Sequence, residues 1–383
     1  MSLVCKFCCR RPVRALSRRR CWSSWTVLAV RCRSEYALGV SERVTATDEP
    51  VIVKTKQLMA AGRNVVSLAQ GVTHWQPPQQ AIDAGSLALE RSPVHSYGPA
   101  AGLPELVTSL QAKVASENGL QGSKIMVTAG ANQAFVNIVL ALLDPWDKVV
   151  LFRPYYFNHL MALQMTGGAR NVQFGPCNPS TFHPDLDWLE QELSGPSPPK
   201  MVVLVNPCNP TGVLMTNPEL ERASELCRSS GTWLVMDNTY EHFTYNGRQH
   251  TCINAPHILH IFSFSKAFGM MGWRVGYIAY SEQACPGLEL QLTKVQDTIP
   301  ICPPQLSQHI ALAATNLAGR PWVQQQLASI LANRDWLMDA LSPLGTHGDG
   351  IFGGEGAIYL WARLPPGADD EAWVKTLISE YQY

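Results

Sequence analysis

The sequence predicts an α/β chain: a mostly parallel sheet flanked by helices, followed by a smaller α/β domain. Three observations predict it. Short, continuously apolar runs alternate with helical patterns between residues 124 and 280, as expected of strands buried on both faces. The segments richest in chemistry-bearing residues fall at the ends of those runs, where open parallel sheets bind ligands. Past residue 320 the pattern changes to one long helix, an alternating strand and a last helix.

Taken in order, Leu103 to Gly119 reads as a helix, with Leu103, Leu106, Val107, Leu110 and Val114 on one face and Asn118-Gly119 as its stop. Lys124 to Thr128 reads as a strand and Ala131 to Leu143 as a buried helix. Strands are expected at Lys148–Phe152, Met201–Val205, Trp233–Met236, Ile258–Phe264 and Val275–Tyr280. Helices are expected at Asp185–Leu193 and Pro218–Ser229, with a Gly/Pro/Ser loop at Ser194–Pro199. The late elements are a helix over Pro321–Leu341, a strand over Ala357–Leu364 and a helix over Glu371–Glu380. The expected organisation is a basic leader over 1–40, an N-terminal segment over 41–85 that reaches the small domain, a large domain over 86–310 and a small domain over 311–383.

Composition narrows the function classes. With 46% apolar and 16% charged residues, the chain is globular. Formal net charge is zero, but nine basic residues precede Glu35, the first acidic one, so the remainder holds 21 basic against 30 acidic residues. An acidic body gives no footing for nucleic acid. The Arg-rich, acid-free start resembles a transit peptide to a mitochondrion or plastid, with a basic arm for RNA as the alternative and a cytoplasmic location otherwise. Its apolar run Trp25–Val30 is too short to span a membrane, which takes about 20 apolar residues. Cys5 and Cys8 form a C-x-x-C without a second pair, so no metal site is expected, and the cysteines past residue 170 are dispersed as free thiols are.

Four strings carry chemistry. Phe262-Ser263-Phe264-Ser265-Lys266 runs into Gly272-Trp273-Arg274-Val275-Gly276-Tyr277. A lysine just after a buried strand is desolvated, which lowers its pKa and suits it to imine formation with an aldehyde. Arg274 offers forked donors to a phosphate. Asn206-Pro207-Cys208-Asn209-Pro210-Thr211-Gly212 is a tight turn whose Asn amide can donate to a ring oxygen. Asp237-Asn238-Thr239-Tyr240 sets a carboxylate after a strand, where it can pair with a protonated ring nitrogen, and a phenol nearby. In Thr128-Ala129-Gly130-Ala131-Asn132-Gln133, small residues open a helix whose free amides suit a phosphate. Each string alone also fits a plain turn or a surface residue; together they are specific.

In this order and spacing the strings resemble the class I aminotransferases, from about Ser67 to the end of the chain. The resemblance implies the fold type I pyridoxal-phosphate transferase architecture, pyridoxal 5′-phosphate as cofactor, amino acids and 2-oxo acids as substrates, and the large domain as the cofactor domain. It implies Lys266 as the Schiff-base lysine and proton shuttle, Asp237 as partner of the pyridine nitrogen, and Asn209 and Tyr240 as ligands of the ring hydroxyl. Ser263, Arg274 and the amides of Gly130 and Ala131 correspond to phosphate ligands, and Tyr156 to the aromatic that stacks on the ring. Tyr97, in Ser96-Tyr97-Gly98-Pro99, corresponds to a tyrosine that reaches the phosphate of a neighbouring subunit, which implies a homodimer with shared sites. Gly71 corresponds to the loop that meets the substrate carboxylate.

Three further strings, Gln70 to Pro78, Pro154 to Asn158 and Phe268 to Arg274, are similar to plant aromatic aminotransferases that pair aromatic 2-oxo acids with methionine as donor. Dicarboxylate-specific members bring an arginine from the partner subunit before an Asn-Pro-Pro; here Gln296 to Ile301, before Cys302-Pro303-Pro304, holds none, which favours an apolar or aromatic substrate side chain. The family's carboxylate-binding arginine follows the last helix, and the sequence stops at Tyr383 before that point, so an incomplete small domain is expected. The expected activity is transamination of aromatic or apolar amino acids. The alternatives are a lyase or aminocyclopropane-carboxylate synthase-like enzyme on the same scaffold, and a cofactor-binding but inactive chain.

Overall fold

The computed structural model describes residues 38–60, 65–68, 70–167 and 169–381. The basic leader and its five cysteines therefore lie outside the described residues, apart from its last three positions. The helices are α1 (Glu42–Thr45), α2 (Val51–Ala60), α3 (Gln79–Ala88), α4 (Pro104–Asn118), α5 (Ala131–Leu142), α6 (Phe157–Thr166), α7 (Leu186–Leu193), α8 (Asn217–Ser230), α9 (Leu288–Thr298), α10 (Gln305–Ala313), α11 (Gly319–Leu341) and α12 (Asp370–Thr376).

The large sheet comprises β1 (Lys124–Thr128), β2 (Val149–Phe152), β3 (Val172–Gly175), β4 (Met201–Val205), β5 (Trp233–Asp237), β6 (Ile258–Ser263) and β7 (Gly276–Tyr280), in the order β1-β7-β6-β5-β4-β2-β3. All its pairings are parallel except those of β7, which runs antiparallel to both β1 and β6. The expected mostly parallel sheet is therefore present, with one reversed strand. Because β7 alone is reversed, its amino end lies at the same edge as the carboxyl ends of the other strands.

The central strands are buried along nearly their whole length, and the Val- and Ile-rich composition that predicted this is suited to a pleated surface covered on both faces. One face packs against α5 and α6 through Met126, Ile138, Leu151 and Leu163, all at most 1% exposed; each such side chain contributes about 1.5–3 kcal/mol on burial. The other side includes α4, whose Leu106, Leu110 and Val114 meet Tyr240, Phe243 and Phe262.

Local sequence explains the boundaries. Pro104 begins α4, where its missing N–H costs nothing, and Gly119 ends it. Asp185 caps α7 by accepting from the Asp187 and Trp188 amides, and Thr216 with Glu219 forms a capping box on α8.

A second sheet, of β8 (Thr346–His347), β9 (Gly350–Gly353) and β10 (Leu360–Ala362), lies near the end of the chain. The strand expected over Ala357–Leu364 shrinks to three residues, because Ala357 turns at φ +56° and its amide bonds Phe243 O instead of a ladder partner. The helix expected from Pro321 begins at Gly319, and the final helix passes into a wider turn at Leu377–Tyr381.

Candidate active site

The carboxyl ends of β1, β4, β5 and β6 and the amino end of β7 meet at one edge. Gly276 is the register partner of both Thr128 and Ser263, so the strands carrying the first and fourth strings end side by side. One strand further on, Asp237 pairs with Val205 and Ile261, which brings the Asn206 turn to the same edge. Asp237 is the last residue of β5, not a residue beyond it as the sequence suggested.

Gly130 opens α5 at φ +85°, a conformation glycine adopts without strain. A β-carbon there would stand 2.3 Å from the Arg274 Nη2, so the guanidinium lies directly against the helix opening. Gly276 is needed for a different reason: a β-carbon on it would lie 2.7 Å from the Ala131 nitrogen. The first amides of α5 have no acceptor within their own helix. Arg274 Nη1 donates to Met271 O at 2.9 Å, and no carboxylate pairs with Arg274 among the described residues.

Lys266 follows β6 by three residues and its Nζ donates to Gly71 O. Burial, then repulsion from Arg274, lowers the amine from its ordinary 10.5 to about 8. Ser263 Oγ accepts from the Ser265 amide at 3.1 Å. Asp237 is 4% exposed. Burial alone would raise its carboxyl, but His159 Nε2 at 3.2 Å and the Thr239 amide at 2.9 Å outweigh that and hold it below the ordinary range.

Tyr156 lies edge-on to His159 at 5.2 Å, and its hydroxyl accepts from Asn158 Nδ2 at 2.9 Å. Burial raises its phenol, and both Asp237 and Arg274 are close enough to act on it. Tyr240 is buried and its hydroxyl bonds that of Tyr359. Asn209 is half-buried in the turn after β4. Lys266, Gly71, Asp237, Tyr156, Tyr240, Ser263, Arg274, Gly130, Ala131 and the Asn209 turn thus gather at one edge. Tyr97 is 82% exposed within the single chain, with no hydrogen bond or ring contact to this cluster among the described residues.

Two residues of the cluster escaped sequence reasoning. His159, three residues beyond Tyr156 in α6, is a hydrogen-bonding partner of Asp237; its signal is the Tyr-x-x-His spacing across a helix opening. Tyr359 comes from the strand region before β10. A β-carbon on Gly71 would lie 2.2 Å from its hydroxyl, so it covers the Gly71 loop while touching Tyr240. Nothing local marks it, since only the fold brings residue 359 to residue 71.

An amine depressed toward neutrality, an ionised buried carboxylate and a cation at a helix opening on one sheet edge define a site for carbonyl–amine chemistry on an anionic ligand. The family model for aminotransferase class I and II matches residues 63–383, and the chain belongs to that family, which uses pyridoxal phosphate. It is 50% identical over 333 residues to aromatic aminotransferase ISS1 of Arabidopsis thaliana, across 87% of this chain and 83% of that one. It is 30% identical to the aspartate/prephenate aminotransferase of Thermus thermophilus, covering 87% and 86%. A solved single mutant of the aspartate aminotransferase of Thermus thermophilus superposes with a TM-score of 0.79 at 29% identity, covering 88% of each chain. The fold is that of the fold type I aminotransferases, and the chain is an aminotransferase.

Proposed function

We propose that this chain transfers amino groups between aromatic or apolar amino acids, with methionine as one donor, and 2-oxo acids, using pyridoxal 5′-phosphate held at the edge just described. The carrying observation is the 50% identity to an aromatic aminotransferase, well above that to the aspartate-named relatives. Two features of the chain agree. The stretch Gln296–Ile301 has no arginine to meet a carboxylate side chain, and Trp75, Tyr156 and Tyr359 give the site aromatic surroundings.

The residues present fit the cofactor. Arg274 and the opening of α5 form a cationic cradle with no carboxylate paired to Arg274 among the described residues, as a phosphate dianion needs. The cofactor supplies an aldehyde that condenses with amines and a ring that withdraws electrons from the amine-bearing carbon. Lys266 would hold that aldehyde through its neutral amine, and its Nζ, when not so engaged, would be the base and acid that moves the substrate's α-proton. Asp237 stays ionised and holds a proton on the ring nitrogen. Tyr240 and Asn209 would hold the ring hydroxyl, Ser263 and Arg274 the phosphate, and Tyr156 the face of the ring. Gly71 and Tyr359 close the substrate side. Tyr97 serves the site of a second copy in a homodimer.

The test is substrate competition. Phenylalanine and methionine should convert the bound cofactor, seen in its visible absorption, with kcat/KM at least about tenfold above aspartate, the discrimination expected when one side chain meets no cation. Aspartate turning over as fast as phenylalanine refutes the aromatic assignment. Release of ammonia without an oxo-acid acceptor supports the lyase alternative. A fusion of residues 1–40 to a fluorescent protein tests the transit-peptide proposal: retention in the cytoplasm removes it.

A further inference from the structure

A buried ion pair lies behind the site and is not used by that reading. Lys113, on α4, donates from Nζ to both carboxylate oxygens of Glu241, at 2.5 and 2.6 Å, and to Asn118 Oδ1 at 2.9 Å. Asn118 Nδ2 donates back to Glu241 Oε2 at 2.7 Å. The two ionic side chains are only 11% and 9% exposed. The ammonium also stands 4.7 Å from the centre of the Phe262 ring.

These contacts reach both halves of the candidate cofactor site. Glu241 follows Tyr240 directly, inside a turn closed by Glu241 N to Asn238 O at 2.9 Å and Phe243 N to Tyr240 O at 2.8 Å. Phe262 directly precedes Ser263. One cation therefore grips the turn after Asp237 that carries Tyr240 and the strand end that carries Ser263. A small cavity lined by Lys113, Glu241, His242, Ser263 and Phe264 joins the two places.

Stability alone does not account for such a pair. Removing two charges from water is costly, and well-packed apolar residues of the same volume often stabilise as much. What an apolar contact lacks is direction, and here the carboxylate is held by both Lys113 and Asn118. Burial alone would raise the Glu241 carboxyl, yet Lys113 pulls it down to about 2, so the carboxylate stays ionised over the working range. The neighbouring His242 and His250 are kept uncharged by burial, at about 4, and do not offset it.

We infer that the Lys113–Glu241 pair is a positioning device, which sets the hydroxyl of Tyr240 and the hydroxyl of Ser263 relative to one another and so aligns the ring and phosphate ends of the cofactor. The inference rests on the proposed pyridoxal-phosphate reading of the edge. Glu241→Gln keeps the shape but removes the charge and turns one of the two acceptor oxygens into a donor; Lys113→Met removes the cation; Lys113→Arg keeps it. The readouts are the dissociation constant of pyridoxal phosphate from the full-length protein, the visible circular dichroism of the bound cofactor, and the split between kcat and donor KM. Groups that orient ligating groups typically matter about ten- to a hundredfold, so Glu241→Gln and Lys113→Met should each weaken cofactor binding by about tenfold. Each should also change the dichroism and lower kcat with donor KM nearly constant. Lys113→Arg should restore all three, and Lys113→Met/Glu241→Leu should be no worse than either single change, because the two act as one unit. A merely structural pair would lower the melting temperature and leave cofactor affinity and dichroism at wild-type values, which overturns the inference. If the single variants do not fold, the apolar double variant decides by the same two readouts. Wild type that binds no pyridoxal phosphate removes the functional reading and this inference together; wild type and variants that bind alike remove only this inference.

Discussion

Lys266 should react as an amine of pKa about 8, and pH is the simplest perturbation that shows it. The cause is written in the site: a half-buried ammonium loses hydration, and the Arg274 guanidinium repels it. At pH 7.5 such an amine is neutral to about a quarter, whereas a lysine at its ordinary value is neutral to roughly one part in a thousand. The environment thus supplies about 250 times more nucleophile at that pH. The sign follows from linkage: the folded state binds fewer protons here than the unfolded one between about 8 and 10.5, so Lys266 makes stability rise with pH across that window. The assay is the rate of labelling of Lys266 by a small amine-directed reagent in cofactor-free protein, resolved by peptide mass. The rate should climb through pH 8 and level off by about pH 9. A rate still climbing about ninefold per unit around pH 9 refutes the argument, since it returns the amine to an ordinary surface lysine.

Other substitutions give separable outcomes. Asp237→Asn should leave cofactor affinity largely intact and slow the half-reaction about 10²–10³-fold, as removal of a charge aimed at the reacting system does, measured by single-turnover absorption. His159→Leu removes a hydrogen-bonding partner of a 4% exposed carboxylate and should cost about 1–3 kcal/mol in denaturant unfolding. Tyr359→Phe deletes one side of the Tyr240 hydroxyl contact and should cost about 1 kcal/mol while changing donor KM, both from one purified variant. Mixing Tyr97→Ala with Lys266→Ala subunits should regain activity that neither has alone, because one hybrid site then holds both native residues; no gain on mixing refutes the shared site.

The sheet was legible because its strands are buried on both faces and therefore read as unbroken apolar runs, such as Met201–Val205 and Gly276–Tyr280. The reversal of β7 was not, since a strand buried on two sides has the same composition in either direction. Helix α6 went unread because its turns mix Asn, His and Gln with apolar residues, and one of those, His159, is polar for the sake of Asp237. Site residues near one another in sequence announced themselves by spacing. Tyr359 and Lys113 did not, because their partners lie 119 and 128 residues away.

The spacing from Lys266 to Arg274 has a simple origin in the sheet. Ser263 and Gly276 are register partners, and the Phe264 amide adds one more rung by donating to Val275 O at 3.1 Å. The chain between them therefore departs and returns at points about 5 Å apart. Lys266 is the second residue of this excursion and Arg274 the last, so both are delivered to the same place by a closed cassette. Its interior carries no ladder bonds, and loop-closure entropy rises only slowly with length. Its middle is nonetheless packed, since Ala267 and Met270 are at most 1% exposed, so an insertion there displaces core, and one residue added just before Gly276 turns every following side chain of β7 to the opposite face. The natural unit of exchange between proteins of this architecture is then the whole cassette with its two feet, rather than the lysine or the arginine alone.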